Sequence, residues 1–173
     1  ALQRELGDQS GVAADLSGLG LVSFRLGQYQ QALDYHQQAW ALHRELGNKH
    51  GEGADLSNLG VVYDELGQYQ QALQSYQQAL EIQRQLGDQR GESRVLTNLG
   101  ILSFYTGQYP KTIEYFQHSL EIKRKIGDKQ GESTLLGNLG IILSKLGQPQ
   151  QALAYYQQAL QVKRELGDQF GIG

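Results

Sequence analysis

The chain has no cysteine and only two prolines in 173 residues. The first absence excludes disulfides and thiolate chemistry without fixing a compartment. The second removes the strongest helix breaker and fits a helical protein. Positive charge is not in surplus either: 15 Lys and Arg stand against 18 Asp and Glu, a net charge of −3 with a pI of about 5.8. That balance offers no basic face for nucleic acid or an anionic membrane. No apolar run approaches membrane-spanning length and no signal-peptide pattern is visible, so the cytoplasm is the expected compartment. Glycine, by contrast, is frequent, with 22 residues at regular places.

Those places reveal a period of 40 residues without insertion. One phrase recurs at Gly27-Gln28-Tyr29, Gly67-Gln68-Tyr69, Gly107-Gln108-Tyr109 and Gly147-Gln148-Pro149. A second keeps step at Leu6-Gly7-Asp8, Leu46-Gly47-Asn48, Leu86-Gly87-Asp88, Ile126-Gly127-Asp128 and Leu166-Gly167-Asp168. A fixed period of this length marks a stacked array whose units bury their apolar faces against their neighbours. The phase gives repeats at about 8–47, 48–87, 88–127 and 128–167, with 1–7 closing a preceding unit and 168–173 opening a further one. Neither end carries a polar capping element, so the expectation is a single array that is a piece of a longer protein.

Within the second repeat, Leu56, Leu59, Gly60, Tyr63 and Leu66 fall on one helical face. Gly67 supplies a left-handed stop. A second helix begins near Tyr69, with Ala72, Leu73, Tyr76, Ala79, Leu80 and Leu86 inward; Gly87 ends it and Asp88 caps the next. Two-residue junctions force consecutive helices to run antiparallel. Small residues recur where helices must approach: Gly20, Gly60, Gly100 and Gly140 on the first helix, Ala32, Ala72, Ala152 and Ala39, Ala79, Ala159 on the second. The third repeat departs with Thr112 and Ser119, which predicts slightly looser packing there. The glutamine pairs fall on the polar side, a solvated face rather than a low-complexity tract.

Leu56, Asn58-Leu59-Gly60, Tyr63, Gly67-Gln68-Tyr69, Ala72, Tyr76 and Ala79-Leu80 together reproduce the tetratricopeptide pattern, and the match runs along essentially the whole chain. The usual proline after the second helix is missing; Gln83-Arg84-Gln85-Leu86-Gly87-Asp88 lengthens the unit from the common ~34 residues to 40. This longer form resembles the repeats of the Pins/LGN cell-polarity adaptors and of bacterial signalling proteins, cyanobacterial ones among them. The resemblance implies an all-α superhelix of antiparallel helix pairs, with first helices lining a concave groove that holds extended peptides.

Under that geometry Asn58, Asn98 and Asn138 form a ladder, broken by Gly18 in the first repeat. An amide both donates and accepts, so it can hold a peptide backbone regardless of sequence. Leu21, Val61, Ile101 and Ile141 form an apolar stripe, and Phe24, Phe104 and Tyr105 are candidate aromatic anchors. Arg25, Arg94 and Lys145 are positive, Asp64 and Glu65 negative, and Thr97 adds a hydroxyl. So mixed a set lacks the cationic concentration of a clamp for a chain terminus. An internal, extended, partly apolar segment of a partner protein suits it better.

Chemistry is not expected. His36 takes the place of Tyr76, Phe116 and Tyr156 and reads as a semi-buried aromatic substitute, while His43, His50 and His118 read as surface variants. His36 and His43 share a face but have no third ligand, so neither metal nor cofactor is anticipated. Glu52, Glu92 and Glu132 recur at first-helix starts, where the macrodipole favours them. The function expected is a protein-interaction module binding an extended peptide. The alternative is a spacer or scaffold self-associating head to tail through uncapped ends.

Overall fold

The computed structural model describes the backbone of residues 2–169 and the side chains of residues 9–167. Among these there are eight helices and no strand: α1 (Leu2–Arg25), α2 (Tyr29–Glu45), α3 (Lys49–Glu65), α4 (Tyr69–Leu86), α5 (Gln89–Tyr105), α6 (Tyr109–Lys125), α7 (Lys129–Lys145) and α8 (Pro149–Gln169). The chain divides into two compact units, residues 1–91 and 92–173. The first holds α1 to α4, the second α5 to α8 but for the opening residues of α5.

The junctions follow from glycine. Gly27, Gly47, Gly67, Gly87, Gly107, Gly127 and Gly147 all have φ between 67° and 74°, a region that costs other residues strain. Each lets the chain turn back so that its N–H groups meet the last carbonyls of the helix it ends: Gly27 N–H bonds Phe24 O at 2.9 Å and Gln28 N–H bonds Ser23 O at 2.9 Å. Asn48, Asp88 and Asp128 then cap α3, α5 and α7, their Oδ1 atoms accepting from Gly51, Gly91 and Gly131 N–H at 3.0, 3.0 and 2.8 Å. Gln28, Gln68 and Gln108 precede α2, α4 and α6 without a side-chain cap.

The repeat phase places two more breaks, at Gly7-Asp8 and Gly167-Asp168, and the structure has neither. Helices α1 and α8 run straight through them. A glycine in a helix costs only about 1 kcal/mol, so the left-handed turn wins only where a returning helix buries its apolar face on the one before. The expected opening of a further unit at Phe170-Gly171-Ile172-Gly173 lies outside the described residues.

Pairing is antiparallel: on α3, Gly60 faces Tyr76 and the earlier Gly53 faces the later Ile82 and Gln83. Gly20, Gly60, Gly100 and Gly140 lie under the rings of His36, Tyr76, Phe116 and Tyr156, and a Cβ on any of them would come within 3.0 Å of its ring. Ring and glycine are thus one packing unit. In the first unit Ala32, Leu33, Leu59 and Val62 form a core with Phe24, Tyr29, Trp40, Tyr63 and Leu66 against it. In the second, Phe116 and Leu120 from α6 meet Leu135, Leu136, Leu139 and Ile142 from α7 and Ala159 and Val162 from α8. Thr112 and Ser119, where looser packing is expected, are both fully buried. Their hydroxyls are satisfied, Ser119 donating to Ser93 O at 2.8 Å and Thr112 to Gln108 O at 3.3 Å.

His43 corrects the surface reading. It is buried, and its Nδ1 lies 2.7 Å from Oδ2 of the equally buried Asp55. The other carboxylate oxygen accepts from Ser17 at 2.8 Å and lies 3.5 Å from Nδ1 of His36. Ser17, His43 and Asp55 tie α1, α2 and α3 together, with His36 alongside, at a phase where the later repeats carry Val95 and Leu135. Stranding one member of such a network costs about 1–3 kcal/mol for each polar group left without a partner.

Leu153, Tyr156 and Leu160 of α8 are exposed, although Phe116 and Leu120 at the same phases of α6 are buried beneath α7. No helix among the described residues is long and apolar enough to cross a membrane.

Candidate functional site

The candidate residues stand on the first helix of each pair, and each unit presents its own set. In the second unit α5 and α7 bring five of them to one place. Ile101, Phe104 and Tyr105 near the end of α5, with Asn138 and Ile141 of α7, line a pocket of about 240 Å³. Phe116 of α6 and Ile142 of α7 complete it. The helix ends explain its shape. Tyr105 is the last residue of α5 before the Gly107 turn, so its ring projects at the rim, 68% exposed. Ile141 opposite is 53% exposed, while Phe116 below is buried.

Phe104 is half-buried and sits among rings, with Tyr105 at 5.8 Å in edge contact and Tyr109 at 5.7 Å. Lys145 Nζ lies over both Phe104, at 5.1 Å, and Tyr109, at 5.6 Å. The ammonium is therefore held beside the pocket mouth by the faces of two rings. Arg94 is exposed and does not line the pocket. Thr97 turns away: its hydroxyl donates to Ser93 O at 2.8 Å and lies 2.9 Å from that of Ser119 in α6.

In the first unit Leu21 is 45% exposed on α1, and Val61 is half-buried on α3. Phe24 is drawn inward, its ring 5.4 Å from Tyr29 and packed on the unit's core. Arg25 and Glu65 are exposed. Burial raises the Asp64 carboxyl above the ordinary aspartate range, and the charge of adjacent Glu65 adds to it. The same two acids reinforce burial in pushing the Tyr76 phenol up, so this core ring stays neutral. A cation arriving at α3 would relieve the crowding of negative charge.

Asn58, Asn98 and Asn138 are all half-buried, and none of their side-chain amides forms a hydrogen bond within the described residues. Gly18 leaves the equivalent place on α1 bare. An amide that is partly desolvated and unpaired is a ready partner for a peptide group. Phe116, Ile142 and Tyr109 were not among the candidates. Phe116 and Tyr109 belong to a second helix, and Ile142 points to the core; Phe116 carried a signal as the ring at the Tyr76 phase, and Tyr109 as the end of the Gly-Gln-Tyr phrase. Among the described residues no group of three His, Asp or Glu side chains could hold a metal ion.

A family model described as Tetratricopeptide repeat matches residues 11–85 and 91–165. No curated protein matches the chain. Among solved structures it resembles BtubC from P. vanneervenii, with a TM-score of 0.83 at 21% identity over 90% of this chain and 64% of that one. It also resembles aspartyl phosphate phosphatase F from Bacillus subtilis, with a TM-score of 0.88 at 19% identity over 92% of this chain and 42% of that one. A third similar structure is the Rap conjugation gene regulator of the plasmid pLS20 in complex with the Phr* peptide, with a TM-score of 0.77 at 16% identity over 92% and 44% of the two chains. The chain thus spans less than two thirds of each of these proteins. Likeness at such identities shows the fold.

Proposed function

Since this chain belongs to the tetratricopeptide repeat family, we propose that it is a protein-interaction module that binds an extended peptide across α5 and α7. An apolar side chain of the peptide enters the pocket between Tyr105 and Ile141, over Phe116. Asn98 and Asn138 pair with peptide groups on either side of it. Lys145 at the mouth favours an acidic neighbour to that anchor. The observation that carries this reading is the coincidence of an open apolar pocket with unpaired, half-buried amides. The pLS20 regulator, of like fold, binds a peptide, and that supports the reading by analogy of fold.

The test is a peptide-display selection on the immobilised chain, followed by calorimetry with the enriched peptide. Peptides with one large apolar residue beside an acidic one are expected. Asn98→Ala/Asn138→Ala should then weaken binding by about tenfold or more, as two hydrogen bonds of about 0.5–1.5 kcal/mol each are lost, with an unchanged helical spectrum and melting temperature. Equal affinity of a well-folded double variant would exclude the asparagines from recognition.

A further inference from the structure

A second cavity lies in the first unit. Helices α2, α3 and α4 surround about 340 Å³ lined by Trp40, Leu56, Leu59, Tyr63 and Ser75, with two glutamines, Gln37 and Gln78. Its size falls within the range of small-ligand sites, about 300–1,000 Å³. It shares no residue or repeat phase with the pocket between α5 and α7.

The second unit contains the same arrangement 80 residues later, two repeats on, and there an aromatic ring stands at the gap. Leu120, Leu136, Leu139 and Leu143 stand at the phases of Trp40, Leu56, Leu59 and Tyr63, and Tyr155 stands at the phase of Ser75. Tyr155 packs on the core that contains Leu120, Leu136 and Leu139. Its hydroxyl accepts from Gln117 Nε2 at 3.2 Å. Tyr35 and Tyr115 occupy the same phase, so Ser75 is the one departure in four repeats. Helix α4 therefore lacks the phenol ring that the repeat pattern supplies, and the cavity lies where it is missing. Around that gap the polar groups have rearranged. Gln37, the equivalent of Gln117, donates instead to the Tyr63 hydroxyl at 3.1 Å. Trp40, the only tryptophan, holds its Nε1 buried with no acceptor. The indole nitrogen is sealed from solvent, so it is the ring of Trp40 that lines the cavity.

We propose that this cavity binds a tyrosine side chain presented by a partner protein. The ring lies against Trp40, Leu56 and Leu59, and the phenol oxygen accepts from Gln37 Nε2, as the Tyr155 hydroxyl accepts from Gln117. The repeat itself defines the ligand chemistry: a para-hydroxyphenyl group on a flexible link, delivered from outside. Tyrosine is also a side chain favoured at the energetic centres of protein interfaces.

Because Trp40 is the sole tryptophan, its fluorescence reports this site alone. Three probes distinguish the possibilities: p-cresol is the side chain by itself, N-acetyltyrosinamide carries it between two peptide groups, and toluene lacks the hydroxyl. The first two should give saturable changes over the same concentration range, and toluene should bind about tenfold more weakly for want of one hydrogen bond. Ser75→Tyr should fill the gap from within, abolishing both responses and raising the melting temperature. Ser75→Ala should leave both responses in place. Absence of a saturable response to p-cresol, or an equal one to toluene, overturns the site. A Ser75→Tyr chain that melts below the parent overturns the shape argument, whatever it binds. A response to p-cresol but not to N-acetyltyrosinamide overturns the protein source and assigns the cavity to free phenols. The groove reading stands or falls separately in each case.

Discussion

Replacing Phe116 by alanine is expected to lower the stability of the chain by about 3–5 kcal/mol, the usual cost of removing a buried aromatic. The ring is 3% exposed, belongs to one core with Leu120, Leu135, Leu136, Leu139 and Ile142, and fits against the bare backbone of Gly100. Domains of this kind have total stabilities of roughly 5–15 kcal/mol, so urea denaturation should show the loss directly. The partnership with Gly100 makes a sharper version possible. Gly100→Ala alone adds a methyl where the Phe116 ring already lies, which costs more than the roughly 1 kcal/mol that helix propensity returns. With Phe116→Ala in place, that same methyl meets open space and should stabilise. The two changes should therefore be strongly non-additive. Additivity within about 0.5 kcal/mol would mean that ring and glycine are not one packing unit.

Tyr105→Ala should have the opposite signature, with affinity lost and stability kept. Its ring is 68% exposed and touches Phe104 only by its edge, so the folded chain loses little when it goes. Exposed substitutions away from caps and cores usually stay within about 0.5 kcal/mol. A selected peptide should nonetheless bind about 2 kcal/mol, or roughly 30-fold, more weakly, the loss typical of an aromatic at an interface centre. Calorimetry and thermal melting on one preparation separate the two quantities. A large fall in melting temperature would reassign Tyr105 to the fold, and unchanged affinity would remove it from the site.

Much of this was legible from periodicity alone, because each repeat repeats the same solution. The junction glycines, the caps at Asn48, Asp88 and Asp128, and the small residues facing each ring all follow from phase. Phase failed where a residue departs from its repeat in company. His43 aligns with Gln83, Lys123 and Lys163 and so reads as a polar surface position. Its burial depends on Asp55, an acid at a phase that later carries Val95 and Leu135. The breaks at Gly7 and Gly167 failed for a related reason: a glycine permits a turn, but packing against a returning helix selects it. In the candidate site Ile101 and Ile141 of the apolar stripe, the anchors Phe104 and Tyr105, and Asn138 of the ladder were candidates because they lie on first helices. Its floor was not, because Phe116 reaches it from α6. Thr97 could not be separated from its neighbours until its hydroxyl was seen to face Ser119. Ser75 was not singled out, since its departure from tyrosine gains meaning only with Trp40 and Tyr63 in place around it.

If the asparagine amides of α5 and α7 hold a peptide, their own NMR signals must report it. On titration with a selected peptide, the side-chain amide resonances of Asn98 and Asn138 should shift and saturate together, with the Kd that calorimetry gives. Resonances that stay fixed at saturation, while signals from the outward faces of α6 or α8 move, would place the peptide elsewhere and contradict the claim.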